Sequence, residues 1–260
     1  MRLICLILIV SSFLACEKVI NLELAEAETR IVVEAVLKDS PGNNYILIST
    51  TSAVYTDQNF NKISGADVRV KDKDGNEFIF PEDVNFPGKY TNPTFSVLPE
   101  NDYELTVIVE GETITSKCHS FAKPKIDALV YYPSPFSFGS TDTIYMIYYF
   151  SVDNVNEVNH YRVRIWINQE EQREFLYIGN DDFINGVSYN APFFGADAHL
   201  GDTVFVELIS LDKANYTYLY TLSSNASNST SPANPTSNLT GNAIGYFGAF
   251  STDTMSVVIQ

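Results

Sequence analysis

Basic residues, histidine, tryptophan and cysteine are all scarce in this chain of 260 residues, and each shortage excludes something. Lys and Arg number 16 against 32 Asp and Glu, a formal net charge of −16. No basic cluster is present to follow a phosphate backbone or to lie on anionic head groups. Nucleic acid is therefore not expected as a partner, and any membrane contact needs another cause. The three histidines, His119, His160 and His199, leave little material for a His-centred active site. G-x-S-x-G, H-E-x-x-H, Gly-rich phosphate loops and C-x-x-C are all missing, so neither an enzyme nor a cofactor is expected. The single Trp, Trp166, argues against a sugar-stacking platform, although aromatics come in pairs at Tyr131-Tyr132, Tyr148-Tyr149 and Phe193-Phe194. One member of each pair on a strand must face the core.

Of the three cysteines, Cys5 and Cys16 sit at the N-terminus and Cys118 stands alone. With Cys5 expected to be lost with a signal segment and Cys16 to be acylated, no disulfide within the chain is expected. Cys118 reads as a small buried hydrophobe on a strand, with His119 pointing to the opposite face.

What is present at the N-terminus is a secretory pattern. Arg2 precedes an apolar run from Leu3 to Val10, then Ser11-Ser12-Phe13-Leu14-Ala15 and Cys16. The run is shorter than the ~20 residues a membrane span needs. A signal peptide over residues 1–15 is expected, with cleavage before Cys16 and acylation (palmitate among the chains) of that cysteine. Each buried CH₂ contributes ~0.8 kcal/mol, so more than one chain makes a stable anchor. Residues 16–28 read as an acidic tether.

Composition and alternation point to an all-β chain. Tyr (16) and Phe (17) are abundant, 45% of residues are hydrophobic and only 18% are charged. These residue types favour half-buried pleated surfaces. Strands are expected at 30–37, 45–51, 66–71, 77–80, 103–109 and 112–118, with a hairpin at Asp72-Lys73-Asp74-Gly75-Asn76. Phe121-Ala122-Lys123-Pro124-Lys125 is the natural boundary, because its proline interrupts a ladder. The expectation is two β-sandwiches (Ig-like or regulatory-like) in tandem, residues 29–121 and 124–260. Further strands are expected at 126–132, 144–152, 161–168, 173–178 and 203–211. One short helix, capped by Asp212, follows from the spacing of Tyr216, Leu219, Tyr220 and Leu222. Asn225 to Asn242 reads as a long loop, and residues 244–251 and 255–259 as a closing hairpin.

Candidate sites are few. Asp72 to Asn76 resembles half of a calcium loop, but Val70 and Pro81 stand where ligands are needed, so it reads as a hairpin turn. Asp153, Asn156 and Glu157 form a denser oxygen cluster that either holds Ca²⁺ weakly or is a polar loop tip. Glu170-Glu171 read as solvated turn carboxylates. Asp142-Thr143-Ile144, Asp202-Thr203-Val204 and Asp253-Thr254-Met255 resemble the Asp-Ser/Thr-apolar sites at which Bacteroidota O-glycosylate exported proteins. That makes Thr143, Thr203 and Thr254 candidates; the alternative is that Asp-Thr starts a strand after a turn.

Five segments carry a family resemblance: Arg30–Leu37, Ile63–Val70 with Asp74-Gly75, Tyr103–Val107, Pro232–Leu239 and Gly245–Ala249. In that order they resemble the Bacteroidota lipoproteins grouped as domain of unknown function 4249, although Gly241-Asn242 stands where Gly-Gly is common and Ala35 replaces a frequent Gly. The first half separately resembles the carboxypeptidase regulatory-like sandwich. The resemblance implies an outer-membrane lipoprotein often encoded beside a TonB-dependent transporter, and it supplies no catalytic residues. A non-catalytic accessory protein is expected, binding a nutrient or docking on the transporter; ligand and membrane face are open. The alternatives are an envelope hydrolase for glycans or peptides, in which Asp153, Glu157, Glu170 and Asp181 converge, and a structural surface or adhesion protein. Two carboxyls facing across a deep cleft would favour hydrolysis.

Overall fold

The computed structural model describes residues 29–52, 60–135, 143–152, 158–182, 186–227 and 233–260. Among the described residues the chain is all-β with one helix. The first segment holds β1 (Ile31–Lys38), β2 (Tyr45–Thr50), β3 (Asp67–Asp72), β4 (Glu77–Ile79), β5 (Lys89–Thr91), β6 (Asn101–Val109) and β7 (Glu112–Ser120). Next come β8 (Ala128–Pro133), β9 (Tyr145–Val152), β10 (His160–Ile167), β11 (Glu170–Glu171), β12 (Tyr177–Asn180), β13 (Ser188–Pro192) and β14 (Thr203–Leu211). Helix α1 (Lys213–Ser227) precedes β15 (Leu239–Thr240), β16 (Ala243–Phe250) and β17 (Thr252–Val258).

Two sandwiches result. The first stacks the sheet β16-β1-β2-β5 on the sheet β15-β7-β6-β3-β4. Its core is mostly aliphatic: Val33, Ala35 and Leu37 from β1 meet Val68, Val70, Leu105, Val107 and Ile114 from the other sheet. The second stacks β13-β9-β8 on β11-β10-β14-β17, with β12 also paired to β10. Its core takes Ile147 and Tyr149 from one sheet and Val163, Ile165, Val206 and Leu208 from the other. In both, period-2 alternation sends every second side chain inward.

The sheets cross the expected boundary. β16 lies parallel to β1 over eight residue pairs, from Ile31↔Ala243 to Lys38↔Phe250. A parallel pair needs a long connection, and here that connection runs through all of the second sandwich except β17. β15 meanwhile pairs with β7, and Phe247 is fully buried in the first core. Residues 29–121 thus do not close a sandwich by themselves. Part of the expected 225–242 loop seals it: Asn238 Nδ2 donates to the Phe247 carbonyl (2.8 Å) and its Oδ1 accepts from the Phe247 amide (2.9 Å).

The expected closing hairpin does not form either. β16 and β17 belong to different sheets, and the chain passes from one sandwich into the other through Ser251. The Ser251 side chain is fully buried, 3.0 Å from Ser120 Oγ, and donates to the Phe121 carbonyl at 2.7 Å. Two of the three crossings between the sandwiches, at 121–127 and at Ser251, are therefore pinned to each other. Close approach explains Gly245, whose φ is +119° and whose added Cβ would lie 2.0 Å from the Val33 carbonyl oxygen.

Local readings agree with the structure in several places. The Asp72 carboxylate accepts from the amides of Asp74 and Asn76 and from Asn76 Nδ2 (2.8–3.0 Å), so it closes a hairpin turn. Cys118 is a free, buried core residue, and burial pushes its thiol well up. His119 faces the other way, 2.7 Å from Asp102. Asp212 caps α1, its Oδ1 accepting from the Asn215 amide at 2.7 Å.

Candidate functional site

The outward face of β1 carries Glu34, Val36 and Lys38, and a lone sandwich would leave these in water. Instead Val36 and Lys38 are buried, because the outward face of β10 and β14 lies against them. That opposing face alternates Arg162, Arg164 and Trp166 on β10 with Ile209 and Glu207 on β14, in the register Arg162↔Ile209 and Arg164↔Glu207. Between the two faces is a cavity of about 360 Å³, within the size range of small-ligand sites. Tyr45 and Tyr246 from the first sandwich, Leu219 of α1, and Gln172, Arg173, Phe175 and Leu176 after β11 complete its wall.

Helix α1 is held in place from the first sandwich. The Asp212 carboxylate accepts from the His119 amide (3.2 Å), and Asn215 Nδ2 donates to the Phe247 carbonyl (2.9 Å). Leu219 then joins Val36, Ile209, Leu211, Tyr246 and Phe250 in an apolar cluster between the sandwiches.

The cavity's charges are nearly all committed. Arg164 donates to Glu171 at 2.7 Å and to Glu207 at 3.4 Å. Arg173 sits 2.8 Å from Glu171, and Lys38 pairs with Glu207. The hydrogen bond from Arg164 is the largest influence on Glu171, whose carboxyl is pulled down to about 2. Tyr45 and Tyr246 both donate to Glu34 Oε1 at 3.3 Å. Burial, reinforced by Glu34, pushes Tyr45 up to about 12 and Tyr246 well above its ordinary value, so both phenols stay protonated. Arg162 is the exception. Its Nε is buried with no hydrogen-bond partner, and it enters none of the ion pairs found among the described residues. Burial pushes its guanidinium down from its ordinary range, the mark of a poorly solvated cation.

The family described as Domain of unknown function (DUF4249) matches residues 17–256, a span that takes in both sandwiches and the cavity between them. The chain belongs to that family. No curated protein matches it.

Few of the sequence-derived candidates lie at the cavity. Cys16, and Asp153, Asn156 and Glu157 of the calcium candidate, fall outside the described residues. Thr143, Thr203 and Thr254 are all exposed. Thr203 opens β14 with its amide on Asn168 Oδ1 (3.0 Å), while Asp202 and Asp253 accept from the amides of His199 (2.7 Å) and Ile126 (2.8 Å). Those two aspartates thus have structural work, and the threonines remain open to modification.

The reading of Glu170-Glu171 as a solvated pair needs correction. Glu170 is exposed, but Glu171 turns into the cavity, where its side chain keeps 11% of its exposure. Glu170 and Asp181 also fail to converge. They lie beside opposite ends of β10, which pairs Ile167 with Glu170 and His160 with Asn180. At 3.3 Å per residue those ends are roughly 23 Å apart. Arg162 and Arg164 were not singled out from sequence. Their signal was a strand, Tyr161-Arg-Val-Arg-Ile-Trp166, whose outward positions carry large cationic and aromatic groups.

Proposed function

We propose that the protein is a non-catalytic lipoprotein, held on the outer membrane through Cys16, that serves a TonB-dependent transporter by holding a small ligand between its two sandwiches. The binding half rests on one observation, the cavity of about 360 Å³ where Arg162 stands without a partner. The anchoring half rests on the signal pattern ending at Cys16. The transporter half rests on the family's association with such transporters.

Hydrolysis is less well supported, although three carboxylates line the cavity. A general acid must hold a proton near neutral pH. Glu171 is held at about 2 by Arg164, and Glu207 is clamped between Lys38 and Arg164. Glu171 therefore carries no proton to give at neutral pH.

Purification of the acylated chain from native membranes in mild detergent tests the reading. A TonB-dependent transporter and a small molecule are expected to come down together. Recovery of the chain alone counts against it. Cys16→Ala should abolish incorporation of an alkyne fatty acid and release the protein from membranes; continued labelling would refute the anchor.

A further inference from the structure

Arg162 stands apart from every other charge around the cavity. The lining presents four cations (Lys38, Arg162, Arg164 and Arg173) and three carboxylates (Glu34, Glu171 and Glu207). Three of the cations share Glu171 and Glu207, and Glu34 is held by two phenols. One positive charge is left over, in a chain whose surface is otherwise strongly acidic. Arg162 is half-buried, with its Nε wholly out of water and unpartnered; a buried donor of a charged group is costly unless something accepts from it. Among the described residues Tyr246, Glu171 and Tyr45 favour the Arg162 charge only from a distance, and none forms an ion pair with it or accepts from its Nε.

Apart from Gln172 and the phenols of Tyr45 and Tyr246, the rest of the wall is apolar, with Val36, Leu176, Ile209, Leu211, Leu219 and Phe250 contributing. A single excess positive charge matches a monoanion. A planar fork of N–H donors matches a carboxylate, which it can grip through two parallel hydrogen bonds. The aliphatic and aromatic side chains match a nonpolar body.

We infer that the cavity binds a small amphipathic monocarboxylic acid, its carboxylate on Arg162 and its hydrocarbon body against Ile209, Leu219 and Phe250. This rests on the reading of the cavity as a ligand site and adds the class of ligand. A phosphate or dicarboxylate would carry one negative charge too many for the lining, and a neutral molecule would leave Arg162 unpaired.

Calorimetric titration of the mature chain in detergent tests this with acetate, hexanoate and 3-phenylpropionate, each set against its neutral amide. The two larger acids are expected to bind saturably and acetate more weakly. Each amide should bind at least about tenfold more weakly than its acid, the scale of one charge-assisted hydrogen bond. Arg162→Gln should erase the preference for acid over amide, and Arg162→Lys should keep part of it. A second measurement does not depend on any ligand. Arg162→Met should melt at or above the parent temperature in ligand-free protein, since an unpaired buried cation gives way to a nonpolar chain. Equal binding of acid and amide would overturn the ligand class while leaving the cavity as a site. Failure of all three acids at millimolar concentration would overturn the inference, as would a lower melting temperature for Arg162→Met. Acid binding without a co-purifying transporter would instead remove the transporter role and leave this inference standing.

Discussion

Both sandwiches are built from the same alternation of inward and outward side chains, and they differ in how they close. All strand pairings of the second lie within residues 128–258, and several half-buried tyrosines pack against its core. One margin stays open as a crevice of about 280 Å³ lined by Tyr149, Tyr161, Tyr177, Tyr189 and Phe193. The first has the larger core but is not self-sufficient: β16 covers the edge of β1, and β15 covers the edge of β7. An uncovered sheet edge invites wrong pairings. The chain solves that for the first sandwich by returning after residue 238, and the return also brings Tyr246 and Phe250 to the cavity. Closure of one sandwich and construction of the candidate site are thus one event in the fold.

The comparison breaks most directly by truncation. A chain ending at Lys123 lacks β15 and β16 and should show no cooperative melt; a sharp transition would mean that the first sandwich is autonomous after all. Next in size is Phe247→Ala, which empties a fully buried position in the first core from a residue encoded near the C-terminus. A loss of about 3–5 kcal/mol is expected in urea titration, and a loss near zero would deny β16 its place there.

Asp212→Ala should cost ~1 kcal/mol, the usual worth of a helix cap, and its separate bond to the His119 amide adds to this. The smallest effect concerns acid. Glu171 falls from its ordinary 4.5 to about 2 in the folded chain. A depressed carboxyl contributes stability that is present above 4.5 and lost as pH falls toward 2. Glu171→Gln should therefore flatten the stability profile in that window, and an unchanged slope would show that its pair with Arg164 contributes nothing.

The elements of the fold were largely legible in the sequence, and their partners were not. β14 spans the expected residues 203–211, and Asp212 caps the helix as its position suggested. Alternation reports which face a residue occupies. It carries no information on which strand lies alongside, and the β1–β16 pairing joins residues separated by nearly the whole chain. β16 also hid its nature. It is buried on almost every residue and interrupted by Gly245 and Gly248, so it read as half of a local hairpin. A strand buried on both faces gives a continuous apolar run with no alternation to follow. The cavity was invisible for the same reason. Arg162 and Arg164 look like ordinary outward residues of β10 until the first sandwich is known to cover them.

The central claim is that the two sandwiches form one interlocked body, stitched at Ser251, with the cavity between them. Scanning calorimetry of the mature chain, followed in parallel by the fluorescence of its single tryptophan, tests this most directly. Trp166 lies on the outward face of the second sandwich, beside Phe205 at 5.3 Å and under Arg164 at 4.6 Å, at a margin shared with Lys38 and Asp39 of the first. One transition is expected, with equal calorimetric and van't Hoff enthalpies and the fluorescence midpoint at the same temperature. Two resolved transitions, with Trp166 following only one of them, would contradict the interlocked fold.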